Sequence, residues 1–207
     1  MQARPPLARR VVLASGNPGK LREFAELLSG TGFELVRQSE LGIEPPPETG
    51  TTFLENALIK ARNAARLTGL PAIADDSGIE VDALDGAPGV YSARYAGDDA
   101  SDESNLAKLL AALKGVPDSG RTARYRCIVV FIEHAEDPHP LIGEGTWEGS
   151  IIDGRRGAGG FGYDPSFVST GDTRTAAELP AEDKHQLSHR GQALRAFLAA
   201  FRRRSPA

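Results

Sequence analysis

The order of elements along the chain predicts an α/β protein built on a mixed sheet. Three observations carry this. Short apolar runs alternate with segments of helical period in the first half. Two long apolar strands follow as a pair, at residues 123–132 and 141–152, and an amphipathic helix closes the chain at residues 192–201. The 207 residues, 40% apolar and 25% charged, are enough for one sizeable domain with room for two lobes, and no break in composition divides it.

Taken in order, Val11-Val12-Leu13-Ala14 reads as a buried strand, and Leu21, Phe24, Ala25 and Leu28 mark one face of a helix after it. Residues 33–37 form a second strand. Three prolines exclude regular structure from the loop at residues 44–50. Thr52-Phe53-Leu54-Glu55 is a capping box opening a long helix, which buries Leu54, Leu58, Ala61 and Ala65 and stops at Gly69. Residues 71–75 read as a short strand, followed by a hairpin-like region with Ile79 and Val81. Ser101 opens a helix with Leu106, Leu109, Leu110 and Leu113 inward, ending at Gly115. A glycine-dense loop fills residues 154–162.

The net charge is −4, which argues against a protein that coats nucleic acid, so any positive site is local and suits a small phosphorylated ligand. The arginines near both ends read as solvated termini. No apolar run approaches membrane-spanning length, and no signal peptide follows the first arginines. The lone Cys127 fits a reducing cytoplasm.

Ser15-Gly16-Asn17-Pro18-Gly19-Lys20 joins the first strand to the first helix. Small residues, a helix N-terminus and a lysine outline a phosphate cradle. It is not a P-loop, because the glycine spacing is wrong and Leu21 stands where a Ser or Thr would hold magnesium. A plain turn shaped by Gly and Pro explains the six residues equally well. Asp75-Asp76-Ser77-Gly78 ends an apolar strand. Adjacent carboxylates suit a metal and a water-activating base, although strand geometry points them opposite ways, and an Asp-rich turn is the simpler account of the segment alone. Glu48 is either a further metal carboxylate or a solvated loop residue. Asn56, Lys60 and Asn63 form a polar stripe opposite the core face, solvated by default, with Lys60 able to reach a phosphate. Gly157 to Pro165 places glycines beside Phe161 and Tyr163, offering close approach and a stacking face to a flat ligand, with Asp164 as an acceptor; a glycine hinge with its aromatics packed back into the core is the alternative account. Ser188-His189-Arg190-Gly191 opens the last helix with Lys184 just before it, so Lys184, His189 and Arg190 can supply donors, although a His-Arg pair alone is ordinarily just surface.

These segments together resemble the noncanonical purine NTP pyrophosphatases, the inosine triphosphate pyrophosphatase or Ham1-like family in its bacterial dITP/XTP form. Glu48-Thr49-Gly50, Glu55-Asn56-Ala57, residues 86–95 and residues 175–179 add to the likeness, which runs from about Arg10 to Phe201. The resemblance implies a single two-lobed domain over residues 10–201, with residues 1–9 an N-terminal extension and 202–207 a tail. It implies a long mixed sheet with flanking helices, a cytoplasmic homodimer, and hydrolysis of dITP, ITP and XTP to monophosphate and pyrophosphate with Mg2+, acting on neither polymer nor membrane. Carried onto this chain, Asp76 is the catalytic proton acceptor and a metal ligand, with Glu48 and Asp75 supporting the metal. Ser77 touches substrate. Ser15, Gly16, Asn17, Pro18, Gly19, Lys20 and Lys60 hold the triphosphate. Phe161, Gly162, Tyr163, Asp164, Lys184, His189 and Arg190 bind the nucleotide. Ser15 departs from a frequent Thr but keeps the hydroxyl.

Overall fold

The computed structural model describes residues 9–204. Their elements run β1 (Arg9–Leu13), α1 (Pro18–Leu27), β2 (Phe33–Arg37), α2 (Phe53–Thr68), β3 (Ala72–Val81), α3 (Asp102–Ala112), β4 (Thr122–Ile132), β5 (Leu141–Ile151), β6 (Phe167–Ser169), α4 (Ala181–Leu187) and α5 (His189–Arg204). The expected N-terminal extension, Arg9 excepted, and the end of the expected tail lie outside the described residues. The strands form one sheet in the order β2-β1-β3-β4-β5-β6. β1 is parallel to β2 and β3, whereas β3 to β6 pair antiparallel, so the sheet is mixed as predicted.

Strand alternation assigns the core. Val11, Leu13, Ile73, Val129 and Phe131 face α1 and α5, where Phe24, Leu28, Leu194 and Phe197 meet them. Val12, Ala14, Ala72, Ala74, Val130 and Ile132 face the alanines of α2. Each fully buried Phe of the first cluster contributes about 1.5–3 kcal/mol. Toward the other end of β3 and β4, Ile79, Val81, Ala123 and Tyr125 enter a separate cluster under α3. The core therefore divides along the long strands, and Asp75 to Gly78 lie between its parts.

α2 starts at the expected capping box: Thr52 Oγ1 accepts from the Glu55 amide (3.2 Å) and Glu55 Oε2 accepts from the Thr52 amide (3.0 Å). Gly69 ends it in the left-handed conformation (φ 67°), which glycine adopts without a Cβ penalty. Against β5, α5 packs backbone to backbone, because Gly143 and Gly145 present no side chain on that face.

Three expectations change. Residues 72–81 are one continuous strand, not a short strand and a hairpin. All ten residues pair with β4, from Ala72 opposite Ile132 to Val81 opposite Ala123, and this ladder overrides the turn-like Asp-Ser-Gly composition. The stripe on α2 is not solvated at Asn56 and Lys60, which are buried against β3. The last helix starts at His189, as expected of residues 188–191 though beyond the amphipathic span 192–201, whereas α4 and β6 were not anticipated.

Candidate active site

The turn from β1 into α1 forms one wall of a cavity. Asn17 caps α1, its Oδ1 accepting from the Gly19 and Lys20 amides at 2.8 and 3.1 Å. These first-turn amides are thus occupied by the cap, unlike in a P-loop cradle. The Ser15 hydroxyl, the Gly16 backbone and the Lys20 ammonium remain to meet an anion, and all three residues line the cavity. Lys20 Nζ is 3.1 Å from Asp75 Oδ2.

β3 splits its two carboxylates between the faces of the sheet, as strand alternation requires. Asp76 faces α2: its Oδ1 accepts from Lys60 Nζ (2.9 Å) and its Oδ2 from Asn56 Nδ2 (3.3 Å). Lys60 Nζ also donates to Glu48 Oε1 (2.8 Å), and Arg94 Nη1 donates to Glu48 Oε2 (3.0 Å). Burial, aided by the Glu48 charge, raises the Asp76 pKa despite Lys60 and Lys20. Burial also pushes Glu48 up, but the Lys60 charge and the Lys60 and Arg94 hydrogen bonds outweigh it and leave Glu48 below the usual range.

Asp75 faces α1 and α5 and is 1% exposed. Burial opposes its charge, yet Lys20, Arg190 and Lys60 hold it ionised well below the ordinary carboxylate range. Arg190 Nη2 reaches Asp75 Oδ2 (3.3 Å) and Ser77 Oγ (3.0 Å), while Arg190 Nη1 pairs with Glu23. Glu23 Oε1 also accepts from Lys184 Nζ at 3.2 Å. One carboxylate on α1 therefore ties together the cations of α4 and α5.

The glycine-aromatic loop also lines the cavity. Asp164 organises it: Oδ2 accepts from the Phe161 amide (2.9 Å) and Lys184 Nζ (2.7 Å), and Oδ1 accepts from Tyr125 OH (3.1 Å). Phe161 lies over α1, where a Cβ on Gly19 would stand 2.7 Å from the ring. Lys184 and Arg190 border that ring at 5.2 and 5.8 Å from its centroid. Tyr163 is buried and donates its OH to Ser92 O (2.7 Å). His189 stacks on Tyr125 at 4.6 Å and 8°. Burial, then the Arg190 and Lys184 charges, push its pKa well down, so the imidazole is neutral and offers one donor and one acceptor. Its Nδ1 has no hydrogen-bond partner among the described residues.

The structure brings nearly all the expected residues to one cavity: Ser15, Gly16, Asn17, Lys20, Glu48, Lys60, Asp76, Ser77, Phe161 to Asp164, Lys184, His189 and Arg190. Pro18 and Gly19 shape the wall without lining it. Asp75 does not line the cavity either; it anchors Lys20 and Arg190 from behind. Sequence reasoning missed Glu23, Arg94 and Tyr125 as parts of the site, and gave Asn56 no role. Asn56 Oδ1 accepts from the Gly50 amide (2.8 Å), fastening the Glu48 loop to Asp76. The signals available were the Asn56–Lys60 spacing on one helix face and, for Arg94, its place in the family-like segment 86–95; Glu23 leaves none without the fold.

The Ham1 family profile matches residues 11–200. The chain belongs to the Ham1 family. It is 59% identical over 194 residues to a dITP/XTP pyrophosphatase of Yersinia pestis and 56% identical to that of Escherichia coli K12, in each case across 94% of this chain and 98% of the relative. Among solved structures it is similar to a HAM1 protein from Coxiella burnetii (TM-score 0.87, 48% identity, 94% of this chain and 99% of that one). It is also similar to a nucleoside-triphosphatase / dITP/XTP pyrophosphatase from Mycobacterium abscessus (TM-score 0.72, 46% identity, 90% and 97%).

Of the three carboxylates expected at a metal, Asp76 and Glu48 suit it. Their oxygens converge on one point beside the cavity, now marked by the Lys60 ammonium. Magnesium takes one or two carboxylates and completes its shell from phosphates and water, so this Ham1-family pair fits it without a third protein ligand. Asp75, turned to the other face, does not fit. Every lysine and arginine reaching the cavity wall from α1, α2, α4 and α5 is already paired with a carboxylate. The cavity wall therefore carries little surplus positive charge for a triphosphate.

Proposed function

We propose that this Ham1-family protein hydrolyses noncanonical purine nucleoside triphosphates (dITP, ITP and XTP) to the monophosphate and pyrophosphate, with Mg2+ held by Asp76 and Glu48, and so keeps the nucleotide pool clean. One observation carries the reading. Asp76 lines the same cavity as Ser15, Gly16, Asn17, Lys20, Phe161, His189 and Arg190, in a chain more than half identical to proteins named dITP/XTP pyrophosphatase.

The triphosphate chain lies against Ser15, Gly16, Lys20 and Lys60. The base lies against Phe161 within reach of Lys184, His189 and Arg190. Asp76 accepts a proton from water as the water oxygen bonds to the α phosphorus. The bond from that phosphorus to the α–β bridging oxygen breaks, and pyrophosphate leaves with the electron pair. Lys20 and Lys60 meet the charge that develops. Bound Mg2+ supplies further neutralisation of the phosphate oxygens. Pyrophosphate is a good leaving group, so no covalent nucleophile is needed.

Base choice has a physical form. A 6-keto purine gives the donors of Arg190, Lys184 or His189 an acceptor; the 6-amino group of adenine leaves a donor unpaired in a dry site, which favours the keto base. A cytoplasmic homodimer is consistent with the family resemblance and with the single buried Cys127. A triphosphate panel tests the reading. ITP, dITP and XTP should lead ATP and GTP in kcat/KM and yield pyrophosphate; release of orthophosphate alone would overturn it.

A further inference from the structure

Lys60 sits where the two candidate metal carboxylates converge. Its Nζ is 2.8 Å from Glu48 Oε1 and 2.9 Å from Asp76 Oδ1, and its side chain is 10% exposed. Magnesium binds carboxylate oxygens at about 2.0–2.1 Å, so an ion bound to either of these oxygens would lie within about 5 Å of the ammonium, where the two cations repel and compete for the same carboxylates. The outer oxygens are differently engaged: Arg94 holds Glu48 Oε2 and Asn56 holds Asp76 Oδ2. Each carboxylate would stay anchored if its inner oxygen were released, and only Lys60 would have to move. Its four-carbon stem permits this, and Lys60 already borders the cavity.

We propose that Lys60 is an exchangeable stand-in for the metal: it neutralises Glu48 and Asp76 in the nucleotide-free protein, and yields them to the divalent ion while its ammonium turns to the phosphate chain. This rests on the pyrophosphatase reading and extends it. The exchange opposes metal binding to the empty protein. It also links metal loading to nucleotide loading, because an anion must be present to receive the displaced ammonium. The cavity then gains the charge it lacks only when substrate is there.

The test is Mn2+ binding to the nucleotide-free protein, followed by electron paramagnetic resonance, comparing wild type with Lys60→Met. Removing the competing charge is expected to tighten Mn2+ binding by about tenfold or more, even as turnover falls. Unchanged or weaker Mn2+ binding overturns the exchange. Lys60→Gln serves the same purpose if the Met variant does not fold. Product analysis of the wild type separates the two readings. Pyrophosphate release without tighter Mn2+ binding in the variant sinks only the exchange. Tighter Mn2+ binding with no pyrophosphate release sinks only the pyrophosphatase reading.

Discussion

Gly145→Ala should damage nucleotide binding from outside the cavity. Gly145 lies on the face of β5 that α5 covers, and a Cβ there would press into His189 O and stand 2.7 Å from Ala193 N. Ordinary contact begins near 3.5 Å, so the first turns of α5 must retreat by roughly 1 Å. That turn carries His189 and Arg190, and Arg190 is fixed by Asp75, Ser77 and Glu23. Overpacking of this kind costs about 1–3 kcal/mol, which lowers the melting temperature of a domain this size by roughly 3–10 °C. A displacement of about 1 Å at a positioning group costs up to about 100-fold in rate. Thermal denaturation and kcat/KM for dITP are the assays, with the larger share of the loss expected in KM. A Gly145→Ala protein with unchanged melting temperature and unchanged kcat/KM would refute the argument that glycine sets the depth of α5.

Other substitutions probe single groups. Asp76→Asn removes the proton acceptor and should lower kcat by at least about 100-fold while equilibrium dialysis still detects nucleotide. Asp75→Asn leaves Lys20 and Arg190 short of a buried anion and should cost about 3 kcal/mol, read as a lower urea midpoint with Asp76 chemistry retained at reduced rate. Because His189 is held neutral when folded but takes a proton near pH 6.5 when unfolded, its contribution is full above that pH and declines below it by about 1.4 kcal/mol per pH unit. Urea titrations at falling pH should show this slope in wild type and a shallower one in His189→Phe; equal slopes would count against a buried neutral imidazole. Arg94→Gln frees Glu48 Oε2 and should weaken Mg2+ activation several-fold, measured as a rightward shift of the metal titration.

Much of the fold was readable because periodicity and punctuation agreed. The Thr52–Glu55 box and Gly69 bounded α2, and residues 33–37 matched β2 end to end. β3 was harder, because Asp75 to Gly78 have turn composition and only long-range pairing with β4 makes them a strand. The site was legible as separate motifs, since each carries its own chemistry. What joins them was not. Glu23 looks like any helical surface Glu until α4 and α5 are folded over it, and Asn56 looks solvated until Asp76 is placed opposite. Asp75 shows the converse: adjacency suggested shared work with Asp76, whereas strand alternation puts it on the other face among cations.

The central claim is that water attacks the α phosphorus of a purine triphosphate beside Asp76. Turnover of dITP in oxygen-18 water, followed by mass spectrometry of both products, tests it most directly. The account predicts the label in deoxyinosine monophosphate and none in pyrophosphate, with Asp76→Asn incorporating almost nothing. Label in pyrophosphate or orthophosphate would place the attack at another phosphorus and contradict it.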